Sequence, residues 1–304
     1  MSEAVHPGGA FLDLPPEMSD PRTSPVLVLP VPYEATTCYV KGTAWGPAAI
    51  IEASAHVEWY DESAGDEPCS NGIHTLAAVD CSGTPETVLD RIRTEVARHV
   101  SAGRFVLSLG GEHTVTVGCA DGAASSGDLT VVQIDAHADL RDEYQGSRFS
   151  HACVMRRLVD RHPIVQIGIR ALSSEEARFA EGSNRVYCVS GDYIAAARLE
   201  GGGRGGWIRG ALNAVRTDRV YLSVDLDGLD PSVVPAVGTP VPGGLLWYEM
   251  LAFVEELFAS RSVVSADVVE LCPIPGQIAS EFAAAQLAYK IAGHALRAAR
   301  RPGA

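Results

Sequence analysis

The sequence lacks three features that would each indicate a particular class of protein. No unbroken apolar run approaches the roughly 18 residues that a membrane helix needs, so we expect no association with a membrane. The first 21 residues have neither a basic start nor an apolar segment, which favours a cytoplasmic protein over a secreted one. The seven cysteines include no C-x-x-C pair, which argues against a disulfide framework or a zinc ribbon.

Positive charge is also scarce. The 24 lysines and arginines are outnumbered by 38 acidic residues, and the formal net charge is −14. Proteins that bind nucleic acid present a basic surface to the phosphates, so we expect no nucleic-acid partner. The negative charge would instead attract a small cationic molecule.

What the sequence does have is a regular alternation of short apolar runs and longer amphipathic stretches. The runs are rich in Val, Ile and Leu without polar alternation, which is typical of parallel strands buried on both faces. The pattern predicts an α/β protein: one three-layer α/β/α domain over residues 25–304, preceded by a flexible arm over residues 1–24. Helices are predicted at Pro85–His99, after the N-cap Thr84, and at 245–259. The parallel sheet should have about eight strands, at 26–31, 76–79, 105–109, 130–134, 164–169, 186–189, 220–224 and 263–269.

Acidic and histidine side chains follow four of these predicted strands. Ligands of open α/β sheets bind beyond the carboxyl ends of the strands. We therefore expect the residues at those ends to meet at one edge of the sheet. The segments are Gly-Gly-Glu-His-Thr (110–114), Asp-Ala-His-Ala-Asp (135–139), Asp-Leu-Asp-Gly-Leu-Asp-Pro (225–231) and Glu270.

The spacing of these residues predicts a metal site. Alternate residues of an extended backbone point to the same side, so the D-x-H-x-D and D-x-D residues can each face one cavity. Four carboxylates in one cleft repel one another unless cations are bound. Six ligands are more than one tetrahedral zinc ion binds, and their number suits two divalent ions. Mn²⁺ is the favoured metal, and Zn²⁺, Fe²⁺, Co²⁺ and Ni²⁺ remain possible. The predicted ligands are His113, Asp135, His137, Asp139, Asp225 and Asp227, whereas Glu112 and Asp230 are interpreted as supporting or turn residues.

Together the three segments resemble the metal signatures of the ureohydrolases, the arginase and agmatinase family. Segments 32–47, 235–244 and 266–270 are also similar to that family, so the resemblance covers most of the chain. It implies an arginase-like fold, a homotrimer or homohexamer, and two Mn²⁺ per chain that serve hydrolysis of a guanidino compound to urea and an amine. By motif, His113 and Asp139 would bind one ion, His137 and Asp227 the other, and Asp135 and Asp225 would bridge them.

The same resemblance suggests three catalytic residues. Asp139 would take a proton from the nucleophile. His151, in Phe-Ser-His-Ala (149–152), would act as an acid or proton shuttle, the alternative being a histidine on a surface loop. Glu270 would hold the guanidinium through charge-assisted hydrogen bonds, the alternative being an exposed acid after a strand.

The loop over residues 142–151 bears on the substrate. It has no Asn before His151 and no Gly after it, unlike arginases, and it resembles agmatinase loops. Asp142 and Glu143 would face the distal ammonium of agmatine, whereas Arg148 would bind the distal carboxylate of a guanidino acid. We predict conversion of agmatine to putrescine first, then hydrolysis of 4-guanidinobutanoate or a guanidino compound of secondary metabolism, and arginine last.

Two further alternatives and two departures from the family pattern remain. One alternative is a related amidohydrolase such as a deacetylase with a single zinc, against which the six ligands argue. The other is a non-catalytic family member, against which the complete set of ligands and catalytic residues argues. The departures, Val237 and Val241, stand where many members have Thr and Glu and leave the shape of the substrate open.

Overall fold

An eight-stranded sheet, parallel at every pairing, forms the centre of residues 9–200 and 205–300, which a computed structural model of the chain describes. The strands are β1 (Val26–Val31), β2 (Ile73–Thr75), β3 (Phe105–Gly110), β4 (Thr130–Ile134), β5 (Ile164–Ile169), β6 (Val186–Ser190), β7 (Arg219–Asp225) and β8 (Ser262–Val269). The helices are α1 (Gly46–Ser54), α2 (Pro85–Val100), α3 (Val115–Ala123), α4 (Val154–Leu158), α5 (Ser174–Gly182), α6 (Gly191–Leu199), α7 (Gly205–Ala214), α8 (Trp247–Ser260) and α9 (Ala279–Ala298).

Two apolar cores cover the two faces of this sheet. One core contains residues of α1 and α6–α9, and the other contains residues of α2–α4. Every residue of β1, β3, β4 and β5 is therefore buried, as strands without polar alternation require. The predicted three-layer α/β/α fold is confirmed. Within the described residues no helix is long and apolar enough to cross a membrane.

The predicted elements differ from the observed ones in one place along the sheet. Seven strands begin and end within one residue of their predicted bounds. The predicted N-cap is also present, since Thr84 Oγ1 accepts a hydrogen bond from Thr87 N at the start of α2. The prediction for 76–79 is wrong, because β2 lies just before it. Leu76 N and Val79 N still donate to carbonyls of β1, so this apolar segment follows the edge of the sheet without forming a strand.

Residues 9–24, assigned to a flexible arm, instead pack onto the domain. Phe11 and Leu12 are at most 2% exposed and belong to one of the two apolar cores. Their main-chain N–H groups donate to Thr75 Oγ1 and Ser54 Oγ, each at 2.8 Å. Burial of these two side chains outweighs the Pro- and Gly-rich composition from which the arm was predicted. Residues 1–8 of the predicted arm lie outside the described residues.

The strand order brings the four site strands together. The sheet reads β2-β1-β3-β8-β7-β4-β5-β6, so β3, β8, β7 and β4 are consecutive neighbours at its centre. Val224 pairs with Ile134 and Asp225 pairs with Val269. This register places the residues that follow each strand at the same carboxyl edge. β3 and β4 are consecutive in the chain but are separated in the sheet by β8 and β7. Open α/β sheets bind ligands beside such a change in strand order.

Candidate metal centre and active site

Four predicted ligands converge on one point. His113 Nδ1 lies 2.9 Å from Asp139 Oδ2, 3.1 Å from Asp135 Oδ2 and 3.4 Å from Asp225 Oδ2. All four side chains are nearly or fully buried. An imidazole nitrogen and three carboxylate oxygens at this separation form a donor set for a divalent cation.

A second group of ligands lies beside the first. His137 Nδ1 is 2.9 Å from Asp227 Oδ2 and 3.6 Å from Asp135 Oδ1. Asp135 thus offers one carboxylate oxygen to each group, as a bridging ligand would. Asp225 offers Oδ2 to the first group, while its Oδ1 accepts a hydrogen bond from Asp227 N. Its role as a second bridge stays a prediction.

Two glycines allow the strand ends to come this close. A Cβ on Gly111 would lie 2.1 Å from the carbonyl oxygen of Tyr33. A Cβ on Gly228 would lie 2.8 Å from Asp135 N. Both distances are shorter than van der Waals contact, so a side chain at Gly111 would push its segment away from Tyr33, and one at Gly228 would push its segment away from Asp135.

The hydrogen bonds around His113 fit a metal ligand. Its Nε2 lies 3.0 Å from Ser223 Oγ, whose proton goes to Asp267 Oδ1. Ser223 therefore accepts, Nε2 carries the imidazole proton, and Nδ1 keeps its lone pair. This buried Nδ1 has no hydrogen-bond partner among the described residues. An orphaned lone pair facing three carboxylates is what a bound cation would satisfy.

Electrostatics give a second argument for cations. Burial and the charge of Asp135 raise the pKa of Asp139 to about 7. Burial and the charges of Asp227 and Asp135 raise the pKa of Asp225 well above its usual range. Carboxylates that are buried and this close together are all ionised only when positive charge lies among them.

A cavity of about 410 Å³ opens over the two groups. His151, Asp139 and Glu270, the three predicted catalytic residues, line it together with most of the ligands. Glu270 Oε1 accepts a hydrogen bond of 2.6 Å from His113 N, which ties it to the cluster. Asp139 and Glu270 both have positive φ, of 53° and 67°. Such strain in non-glycine residues costs about 1–3 kcal/mol each and is concentrated at functional sites.

The predicted substrate contacts Asp142, Glu143 and Arg148 are not among the described residues that line the cavity. Asp142 is instead held by Arg148, at 3.0 Å, and by Arg157. These ion pairs satisfy both the acid and the arginine on the outer side of the loop. Their assignment to the substrate site stays a prediction.

Polar residues that the sequence reasoning did not single out line the cavity. Glu176 is buried, lines the cavity, and accepts from Leu140 N, Ser173 N and Ser173 Oγ. Arg141 Nε lies 3.6 Å from Glu176 Oε2, and the Arg141 guanidinium lies over the ring of Tyr144. A signal for Glu176 was present, because its segment follows β5 at the same edge of the sheet. The other cavity residues beyond the cluster include Cys38, Tyr39, Val40, Leu172 and Thr239.

The two departures from the family pattern lie away from this cavity. Val237 is 5% exposed and packs in an apolar core. The carbonyl oxygen of Val241 accepts hydrogen bonds from Arg170. Neither belongs to the described residues that line the cavity, so neither shapes the space for substrate directly.

Comparison with known proteins identifies the family. Residues 24–293 match the sequence pattern of the arginase family. The chain belongs to the arginase family. It is 44% identical to the N(1)-aminopropylagmatine ureohydrolase of Synechocystis sp., with 88% of each chain covered.

Solved structures agree with this family. The agmatine ureohydrolase of Thermoplasma volcanium matches with a TM-score of 0.78 and 30% identity, over 90% of each chain. The proclavaminate amidino hydrolase of Streptomyces clavuligerus matches with a TM-score of 0.84 and 28% identity, over 95% of this chain and 97% of that one. This arginase-family protein is therefore a ureohydrolase enzyme, and neither a single-zinc deacetylase nor a non-catalytic relative is needed to explain the site.

The shared oxygen donor makes a testable prediction about metal content. Asp135→Asn should lower the occupancy of both ions, because Asp135 contributes to both groups of ligands. Asp227→Asn should lower one occupancy more than the other, because Asp227 belongs to the second group. Elemental analysis after incubation with Mn²⁺ and dialysis measures the total equivalents per chain, which should fall further in Asp135→Asn than in Asp227→Asn, with Asp142→Asn as the matched control outside the cavity. Two full equivalents in Asp135→Asn would contradict the bridging arrangement.

Proposed function

We propose that this ureohydrolase releases urea from a guanidino compound that also carries cationic amines, with N(1)-aminopropylagmatine, which has two amines, ahead of agmatine, which has one. The observation that carries the proposal is a pair of carboxylates outside the metal ligands, Glu270 and Glu176, that line one cavity. A guanidinium and a distal ammonium would each find one acid. The relative with 44% identity is named for the longer substrate, which supports ranking N(1)-aminopropylagmatine ahead of the agmatine predicted from the sequence.

The donor set suits two divalent ions, for which we propose manganese, held by the six residues named above. When bound, two such ions supply Lewis acidity and lower the pKa of a water at the site toward neutrality. We further propose a cytoplasmic homotrimer or homohexamer. These finer statements rest on the family resemblance and on the oxygen-rich ligands.

Glu270 is proposed to hold the guanidinium. Burial raises the pKa of its carboxyl well above the usual range, so it gains most from a cationic partner. Its Oε1 is fixed by His113 N, which leaves Oε2 directed toward the cavity side, 3.8 Å from the position of a Cβ on Gly238. A planar guanidinium can donate to such a carboxylate through charge-assisted hydrogen bonds.

Proton transfer is assigned to Asp139 and His151. The carboxylate of Asp139 lies in the cluster, 2.9 Å from His113 Nδ1, and would take the proton of the nucleophile there. Burial lowers the pKa of His151 below its ordinary value, which keeps the imidazole neutral and able to accept a proton at neutral pH. His151 would pass that proton to the leaving amine, which the reaction requires for the C–N bond to break.

Glu176 is proposed to recognise the distal amine. Its two oxygens accept three hydrogen bonds from Leu140 and Ser173, out of about four acceptor positions on a carboxylate. The remaining acceptor position, on Oε1, would receive an ammonium, while Arg141 Nε lies 3.6 Å from Oε2. Tyr39, Val40 and Leu172 offer apolar surface along which the methylene chain of such a substrate can lie.

One observation favours a second candidate, a guanidino acid. Arg141 lines the cavity and could receive a distal carboxylate if it left Glu176. The structural relative from Streptomyces clavuligerus is named for proclavaminate. Arg141→Ala would then impair hydrolysis of the acid more than that of the amines.

A substrate panel tests the proposed function. Urea release with Mn²⁺ should give the highest kcat/KM for N(1)-aminopropylagmatine, followed by agmatine, 4-guanidinobutanoate and arginine. The cationic substrates gain from the acids of the cavity and from the net charge of −14. A higher kcat/KM for 4-guanidinobutanoate or arginine than for both amines would overturn the proposal.

The role of Glu176 has a matched control in the next residue. Glu176→Gln should raise KM for the amine substrates about 10- to 100-fold, because a hydrogen bond to a charged group contributes about 1.5–3 kcal/mol. The exposed Glu175 does not line the cavity within the described residues, so Glu175→Gln should stay within about twofold of wild type. An equal KM in the two variants would remove Glu176 from substrate binding.

The catalytic assignments predict activity loss at constant metal content. His151→Ala should lower kcat about 10²–10⁴-fold, the usual contribution of a general acid or base. Glu270→Gln should lower kcat/KM at least about 100-fold, because the guanidinium loses its charged partner. The exposed His56 offers a control, His56→Ala. Near-wild-type turnover in either site variant, or loss of metal in both, would contradict these roles.

A further inference from the structure

Thr36 connects a catalytic candidate to a buried carboxylate. Thr36 Oγ1 donates to Glu112 Oε1 at 2.8 Å and lies 3.1 Å from His151 Nδ1. The same oxygen accepts a hydrogen bond of 3.0 Å from His151 N. A single hydroxyl thus joins the loop after β1 to the segment that carries His151, and Thr36 belongs to no metal signature.

The direction of each hydrogen bond follows from Glu112. Its Oε2 accepts from Ala35 N and Thr36 N, each at 2.6 Å, and its Oε1 accepts from the hydroxyls of Thr36 and Thr114. A carboxylate has about four acceptor positions, and in the described residues four donors point at this fully buried one. The proton of the Thr36 hydroxyl is therefore committed to Glu112.

What remains on the Thr36 oxygen is its pair of acceptor positions. One receives His151 N, and the other faces His151 Nδ1, which must then be the nitrogen that carries the proton. We propose that Thr36, anchored by Glu112, is a positioning residue that holds neutral His151 in the Nδ1–H tautomer and leaves the Nε2 lone pair for the cavity. The inference rests on the proposed role of His151 in proton transfer. The hydrogen bond at one imidazole nitrogen decides which form the other nitrogen takes.

Two neighbours of the ring support this orientation. Ser150 Oγ lies 3.4 Å from Nδ1, a longer distance than that of Thr36 Oγ1, and accepts a hydrogen bond from Ala152 N. The ring of Tyr144 meets the imidazole edge-on, with centroids 5.8 Å apart and an interplanar angle of 89°. The ring of His151 is thereby contacted from two sides, and the hydrogen bonds that its ring makes within the described residues involve Nδ1.

Isosteric variants of Thr36 provide the first test. Thr36→Val removes the hydroxyl and keeps the shape, and it should lower kcat about 10- to 100-fold with KM within about threefold, as part of the contribution of His151. Thr36→Ser restores the hydroxyl and should recover most of kcat. Thr114→Val removes a hydroxyl from the same Glu112 oxygen without a contact to His151, and it should cost less than Thr36→Val at equal metal content.

A double-mutant cycle separates positioning from general structural damage. Thr36→Val should have little further effect in a His151→Ala background, because the group that it positions is absent. A full additional loss of kcat there would overturn the inference. If His151→Ala itself left kcat unchanged, the proposed function of His151 would fail, whereas an unaffected Thr36→Val beside an impaired His151→Ala would refute the inference alone.

The tautomer can also be measured without turnover. Ring ¹⁵N chemical shifts of His151 in the full-length protein, with zinc as a diamagnetic ion, should show a protonated Nδ1 and an unprotonated Nε2 in the wild type and in Thr36→Ser. Thr36→Val should shift the population toward the Nε2–H form. A wild-type protein with its proton on Nε2 would disprove the inference.

Discussion

Mutual repulsion among four carboxylates at the centre of a buried sheet edge is the constraint on which the site depends. The four belong to strand ends that the helices on both faces exclude from water. In that environment, negative charges tolerate one another only when cations balance them. Metal binding, the position of Asp135 between the two groups of ligands and the attraction for a cationic substrate all follow from this one arrangement.

The metal ligands could be predicted from the sequence because their placement is local. A buried strand that ends in D-x-H-x-D or D-x-D carries its own geometry, since alternate residues point to one side and parallel strands share an edge. The strand order, by contrast, could not be read from the sequence. Only the structure shows that β3, β8, β7 and β4 are adjacent, which is why His113, Asp135 and Glu270 meet.

The lining of the cavity could not be predicted from the sequence because it depends on contacts between distant segments. The loop with Asp142 and Arg148 folds outward when Asp142 pairs with Arg157, 15 residues further along the chain. Glu176 reaches the cavity because β5 lies next to β4 and α5 begins at Ser173 with a capping box. The packing of Phe11 and Leu12 likewise depends on distant partners, which composition does not reveal.

The order of the strands also has a consequence for how the protein is made. β3 and β4 follow one another in the chain, yet β8 and β7 separate them in the sheet, and β8 is the last strand of the described chain. A ribosome-bound chain that has emerged only as far as β4 leaves one edge of β3 and both edges of β4 without their partner strands, and its set of ligands is incomplete. Cation loading can therefore finish only after the C-terminal strand has inserted between its earlier neighbours, so metal capture is coupled to the completion of folding.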